Sequence, residues 1–282
     1  MFEDERFTTP MMKQYETIKK QYHDCLLFYR MGDFYELFLE DAYIGSRVLG
    51  LTLTSRSKGK DGRIPMAGVP YHAVDTYLSK LVKAGYKVAI CEQLTEPDKK
   101  GLIERDVVRI VTPGTILDEN ALDQKEHNYI VSLALEVDIL GLAYADVSTG
   151  QFFTLQLPYT SLSQVLQNEL TLINPSECIL SPQEYESADL LKVLHEHSSI
   201  NIFPFTQWDE YTTHAAQTIK KHFGISTLAS FGIDQQPLAT QASAALLGYL
   251  KQMQKHALHH IRSIRTVDAH EYVGLDRSTI VN

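Results

Sequence analysis

The alternation of apolar and polar positions divides the chain into two stretches, each predicting a mixture of helices and strands. Thr9-Pro10 followed by MMKQYETIKKQY puts a hydroxyl at an N-cap, proline at the first helical position and apolar residues at helical spacing, which predicts a first helix. The period then changes. CLLFYRMGDFYELF is dense in aromatic and aliphatic residues around a central Gly and Asp, the pattern of a strand broken or bulged near Gly32. A second helix is predicted over 38–49, then a strand in LTLTS, a charged loop SRSKGKDGR and a turn-rich segment IPMAGVPYH. HAVDTYLSKLVKAG reads as an amphipathic helix stopped by Gly85, and YKVAICEQL and RDVVRIVTPG read as strands, the second ended by Pro113-Gly114.

Polar DENALDQKEHN interrupts this pattern, which restarts as three consecutive strands in YIVSLALEVDILGLAYADVSTGQFFTLQL. SLSQVLQNELTLINP (helix), ECILSP (strand), ESADLLKVLHEHSS (helix), INIFPF (strand) and DEYTTHAAQTIKKHFG (helix) then alternate, and LATQASAALLGYLKQMQKHALHHI predicts a last long helix. The expectation is an α/β chain of two mixed α/β domains, residues 1–115 and 125–262, joined by a linker at 116–124. The chain stops at LDRSTIVN without turn or cap, which reads as a cut.

Composition places these elements in an ordinary globular protein, 44% hydrophobic and 22% charged. No window approaches about eighteen consecutive apolar residues, and the acidic start MFEDERFTTP lacks the layout of a signal peptide, so a cytoplasmic chain without membrane contact is expected. Cys25, Cys91 and Cys178 lie far apart with no C-x-x-C pair, which predicts buried or bystander thiols. The formal net charge of −9 argues against a polyanion partner until it is divided along the chain. Residues 1–120 carry 17 Lys and Arg against 18 Asp and Glu, whereas 121–282 carry 9 against 17. Any nucleic-acid contact therefore belongs to the first half, where Arg56, Lys58, Lys60 and Arg63 share the charged loop and Arg105 and Arg109 an extended stretch. Charge alone leaves a solvated loop equally open.

Several chemistries lack their residues. The only Gly-Lys pair, Gly59-Lys60, is followed by Asp61, and neither a glycine-rich phosphate cradle nor an H-E-x-x-H pair occurs, so no cofactor is expected in this chain. His256, His259 and His260 fall at i, i+3 and i+4 of the predicted last helix, a spacing that could hold a metal, yet no local carboxylate or Cys joins them. A solvent-facing cluster is the plainer reading. Asp138 and Asp146 invite a metal-dependent nuclease centred on Asp146, but Asp138 falls in a predicted hairpin turn and the several converging carboxylates that two-metal hydrolysis needs are missing.

YRMGDFYELF carries the most specific signal. In a strand alternate side chains share a face, so Phe34 and Glu36 point one way while Tyr35 and Leu37 point into the core. An exposed ring can stack on a base or enter a base step, and a carboxylate beside it repels phosphates while accepting a hydrogen bond from a displaced base. The bland alternative is a core Phe with a surface Glu on an edge strand.

TPMMKQYETIK, LLFYRMGDFYELF, LTLTSRS, IPMAGVPYHAVDTYLSKLVKAGYKVAICEQ and VVRIVTPGT together resemble the N-terminal mismatch-recognition domain of the bacterial MutS family of DNA mismatch-repair sensors. GLAYADVSTGQF and the FG…AL…GYL region are similar to the family's connector domain, and HIRSI and LDRSTIVN to the opening of its lever and core domain, residues 263–282 here. The resemblance implies that the second domain is ribonuclease H-like, that Phe34 stacks on a mispaired base and that Glu36 hydrogen-bonds to it. It implies lesser contacts from Met66, Pro70 and Arg109. It also implies mismatched double-stranded DNA as partner, contact with MutL through the connector, and an N-terminal fragment without catalytic residues. ATP, Mg and homodimer formation then belong to a full-length parent. A protein-interaction module acting through the acidic connector is the rival reading.

Overall fold

The computed structural model describes residues 9–58, 62–95, 102–116, 127–197, 200–255 and 258–267. The chain divides into two compact units, the first built on residues up to 125 and the second on most of the remainder.

In the first unit, helix α1 (Pro10–Gln21) starts where the Thr9 hydroxyl accepts the amide of Met12 at 3.3 Å, satisfying one of the unpaired N–H groups of the first turn. Strands β1 (Leu26–Met31) and β2 (Phe34–Phe38) follow as an antiparallel hairpin with Met31 opposite Phe34. The expected bulged strand is thus two strands around Gly32-Asp33. Gly32 has φ +59°, a conformation that suits glycine and closes a two-residue turn. Helix α2 (Glu40–Leu49) ends on Gly50 at φ +70°. Strands β3 (Thr54–Lys58) and β4 (Gly62–Pro70) form a second hairpin, then helix α3 (Val74–Lys83) and strands β5 (Val88–Gln93) and β6 (Arg105–Val111) complete the unit. The sheet order is β3-β4-β2-β1-β5-β6.

Three expectations change here. The strand expected in LTLTS begins only at Thr54, Arg56 lies within that strand rather than in a loop, and the segment expected to be turn-rich belongs to strand β4 as far as Pro70, only Tyr71 and His72 falling in a 3-10 turn. Ladder pairing overrides the local turn chemistry: β4 sits between β3 and β2, and Pro65, which has no N–H, still contributes its carbonyl to the amide of Leu39 at 3.0 Å. β2 is likewise interior, not an edge strand. Period-two alternation sends Leu26, Phe28, Tyr35, Leu37, Val69, Val88 and Ile90 to one face, against Leu49 of α2 and Leu78, Leu81 and Val82 of α3. The other face is covered by α1 at one end, where Tyr15 meets Tyr29 and Phe38 edge-on at 5.5 and 5.0 Å. Towards the Gly32 turn that face opens to solvent.

The second unit opens with the expected meander, β7 (Tyr129–Glu136), β8 (Ile139–Asp146) and β9 (Gln151–Pro158), with Asp138 in the first turn at φ +71°. Then come α4 (Leu162–Ile173), β10 (Glu177–Leu180), α5 (Pro182–Tyr185), α6 (Ala188–His195), β11 (Asn201–Pro204), α7 (Trp208–Thr212), α8 (Ala215–Phe223), α9 (Pro237–Gln254) and a short β12 (Arg265–Thr266). The sheet order is β11-β10-β7-β8-β9-β12, with β10 parallel to both β7 and β11 and β12 parallel to β9. Helix α9 lies directly on β8: a Cβ added at Gly141 would stand 2.2 Å from the carbonyl carbon of Leu238.

The single helix expected over 209–224 is two, α7 and α8. The last helix stops at Gln254, where Lys255 turns left-handed at φ +35°. His259 and His260 therefore lie past the helix and do not share a helical face, and His256 is outside the described residues. His260 instead bonds through Nε2 to the carbonyl oxygen of Val147 at 2.6 Å.

Candidate nucleic-acid interface

The open part of the first sheet's face is built from three adjacent strands. Met31 of β1, Phe34 and Glu36 of β2, and Gly68 and Pro70 of β4 stand opposite one another by register, Phe34 facing Pro70 and Glu36 facing Gly68. Phe34 is 44% exposed although it sits inside a six-stranded sheet, so it is neither a core residue nor an edge residue. Two residues along, on the same side, the carboxyl of Glu36 lies half-buried over the gap that glycine leaves: a Cβ at position 68 would stand 3.0 Å from its Oε2. That oxygen is shielded from solvent and has no hydrogen-bond partner among the described residues. Burial raises the pKa of Glu36 above its ordinary value, with the nearby Arg56 guanidinium acting in the opposite direction.

Arg56 belongs to this face. Its Nη1 lies 3.8 Å from the Met31 sulfur, and Met66 stands half-buried two residues from Gly68 on the same strand. Of the predicted contacts, Phe34, Glu36, Arg56, Met66 and Pro70 thus share one face. The side chain of Lys58, like all of Lys60, falls outside the described residues. Arg109 is separate. It pairs with Ile90, whose side chain belongs to the core on the helix side, and its Nη2 lies 3.8 Å from Asp75 of α3. The β6 cation on the open face's side is Arg105, whose guanidinium is committed to the carbonyl oxygens of Arg30 (2.8 Å) and Ile103 (3.1 Å) and to Gln14 (3.2 Å).

Beside the face, the Gly32 turn is fastened by residues outside it, Gln93 of β5, Arg30 of β1 and Tyr71, which follows β4. The Gln93 side-chain oxygen accepts the Gly32 amide at 2.9 Å, Arg30 Nε donates to the Gly32 carbonyl at 2.5 Å, and the Tyr71 amide donates to the Asp33 carbonyl at 2.9 Å. The Tyr35 hydroxyl donates to Glu92, and burial, together with that carboxylate, pushes the phenol up to about 12. Sequence reasoning missed Gly68, Gln93 and Arg30: Gly68 and Gln93 acquire their parts only through strand register, and Arg30, two residues from Gly32, has no motif that marks its bond to the turn carbonyl.

Asp146, the other candidate carboxylate, caps its own turn. Oδ1 accepts from the Ser148 amide (2.9 Å), the Ser148 hydroxyl (2.6 Å) and the Thr149 amide (3.4 Å), while Oδ2 meets His127 Nδ1 at 3.0 Å. Burial pushes its pKa up, but these hydrogen bonds outweigh burial and hold it below the ordinary range. No group of three or more His, Cys, Asp or Glu side chains suited to a metal occurs among the described residues. All three cysteines are free and buried. No helix among the described residues is long and apolar enough to cross a membrane.

The fold is that of a two-domain α/β protein whose first sheet leaves part of one face open. Residues 9–120 match the family model of MutS domain I and residues 128–262 that of MutS domain II. The chain is 43% identical to the DNA mismatch repair protein MutS of Alkaliphilus oremlandii over 97% of its own length. It is 42% identical to the proteins of that name from Dehalococcoides mccartyi, over 97% of its length, and Symbiobacterium thermophilum, over 96%. The chain belongs to the MutS family of DNA mismatch repair proteins. It spans about a third of the length of these relatives, 32%, 31% and 31% respectively.

Proposed function

We propose that this chain reads mispaired bases in double-stranded DNA through Phe34 and Glu36. The observation that carries the reading is the pairing of an exposed ring with a buried, unpartnered carboxylate oxygen two residues along the same strand face. The ring supplies a flat apolar surface for a base, a contact worth about 1–3 kcal/mol. The carboxylate supplies selectivity. Pushed against a well-paired duplex, Glu36 meets phosphates and bases whose edges are already bonded, so its buried oxygen stays unsatisfied at a cost of about 1–3 kcal/mol. A displaced base offers an N–H group and removes that penalty.

Arg56, Met66 and Pro70 would flank the contact, with Lys58 and Arg109 as more remote candidates. The binding domain would span 1–115 and the connector 125–262, with a linker at 116–124 and the opening of a lever domain at 263–282. The chain itself would bind rather than catalyse. ATP hydrolysis with Mg, homodimer formation and the switch between search and sliding would reside in a longer MutS protein carrying these residues, MutL would dock on the connector, and the setting would be cytoplasmic.

The test is a pair of titrations, a G·T heteroduplex and its matched duplex at fixed salt, on a MutS protein carrying these residues as its first two domains. Phe34→Ala should weaken heteroduplex binding by about 1–3 kcal/mol and leave matched duplex nearly unchanged. Equal losses on both duplexes would mean that the ring does not read the mismatch.

A further inference from the structure

We infer that Gln93 is a positioning residue for the Phe34 wedge, acting through the Gly32 turn; this rests on the reading of Phe34 proposed above. The turn that carries Phe34 has three of its backbone polar groups held by residues other than those of the turn itself. Gln93 Oε1 takes the Gly32 amide (2.9 Å), Arg30 Nε gives to the Gly32 carbonyl (2.5 Å) and the Tyr71 amide gives to the Asp33 carbonyl (2.9 Å). Arg30 is itself held on several sides. Its guanidinium carbon lies 3.9 Å from the Tyr71 ring centre, its Nη1 lies 3.8 Å from Glu92, and its carbonyl takes Arg105 Nε at 2.8 Å.

Folding gives little reason for this arrangement. The Gly32 amide is at an exposed turn, where water would satisfy it almost as well as a side chain does. What Gln93 adds is position. It belongs to β5, on the far side of β1 from β2, and so ties the tip of the hairpin to the body of the sheet. A ring pressed against a base stack transmits force back to its turn, and a turn that yields lets the ring swing aside and lose the stacking geometry. Tethering the Gly32 amide fixes the residue two before Phe34 against that load. The sequence offers no hint of the link, since 61 positions separate the two residues.

The experiment measures the ratio of G·T heteroduplex to matched-duplex affinity, the melting temperature and the hydrogen exchange of the Gly32 amide. Four proteins are compared, each carrying these residues within a MutS chain: Gln93→Ala, Gln93→Glu, Phe34→Ala and the double variant Phe34→Ala with Gln93→Ala. Gln93→Ala should lower the ratio roughly three- to ten-fold, as loss of one hydrogen bond at the turn allows, with faster Gly32 exchange and a nearly unchanged melting temperature. Gln93→Glu keeps the acceptor oxygen, so the ratio and the slow Gly32 exchange should persist while both affinities fall together from the added charge. In the Phe34→Ala background Gln93→Ala should leave the ratio where Phe34→Ala alone puts it, because the residue acts through the ring.

A wild-type ratio in Gln93→Ala, or unchanged Gly32 exchange, would overturn the tether while leaving the Phe34 reading intact. A further fall in the double variant would show that Gln93 touches DNA itself, which also overturns it. A wild-type ratio in Phe34→Ala would remove the reading and this inference together.

Discussion

Gly68 faces Glu36 across the β2–β4 ladder so closely that a Cβ there would stand 3.0 Å from the carboxylate oxygen Oε2. The glycine is therefore part of the carboxylate's seat. Gly68→Ala should push Glu36 away from its half-buried position towards solvent and narrow discrimination between mismatched and matched duplex. The effect on stability should stay within about 1 kcal/mol, since the atom displaced is the free end of a flexible side chain. Paired duplex titrations and a urea melt check the two halves of this expectation.

Glu36→Gln keeps the shape of the side chain and removes its charge. Matched duplex should bind more tightly while heteroduplex changes little, the opposite failure from that of Phe34→Ala. The same variant carries a pH signature. Burial raises the folded pKa of Glu36 above its ordinary 4.5, with Arg56 only partly offsetting it, so the folded chain binds this proton more readily than the unfolded chain. Stability contributed here falls as pH rises from 4.5 through the folded pKa, and the ionised form remains a penalty above it. Glu36→Gln should therefore melt higher than the parent chain near neutral pH, with the gap closing as pH is lowered towards 4.5. A gap that widens on acidification would contradict the burial of this carboxyl.

Arg56 and Arg109 should behave differently although sequence position made them equal candidates. Arg56 shares the face of Phe34 and Glu36, so Arg56→Ala should weaken both duplexes alike and lower the salt slope by about 1. Arg109 lies by the helices, 3.8 Å from Asp75 in an exposed pair, and Arg109→Ala should change stability by about 0–1 kcal/mol and binding less than Arg56→Ala does. Binding isotherms across a salt series separate the two.

Asp146→Asn tests a structural role against a catalytic one. The carboxylate accepts from Ser148, Thr149 and His127, so its loss should destabilise the second unit by about 1–3 kcal/mol near neutral pH. Because its folded pKa is depressed, that contribution is present above the ordinary carboxylate pKa and disappears as pH falls through the folded value, and the variant should lose its disadvantage there. Mg- or Mn-dependent DNA nicking that vanished in Asp146→Asn would instead restore the nuclease reading.

Local pattern determined a good deal of this protein. The Thr9-Pro10 start of α1, the Gly85 stop after α3, the β7–β9 meander and the facing of Phe34 and Glu36 away from Tyr35 and Leu37 all follow from capping, left-handed glycine and period-two alternation, which act between residues a few positions apart. Tertiary structure decided the rest. That IPMAGVP forms an interior strand, that β2 is flanked on both sides while Phe34 remains exposed, that Gly68 makes room for Glu36, that Gln93 reaches Gly32 and that Arg109 turns towards Asp75 all depend on which strands pair and in what register. Register is set by the joint burial of distant apolar positions, a property of the whole sheet, and a short stretch of sequence read alone carries too little of that energy to reveal it.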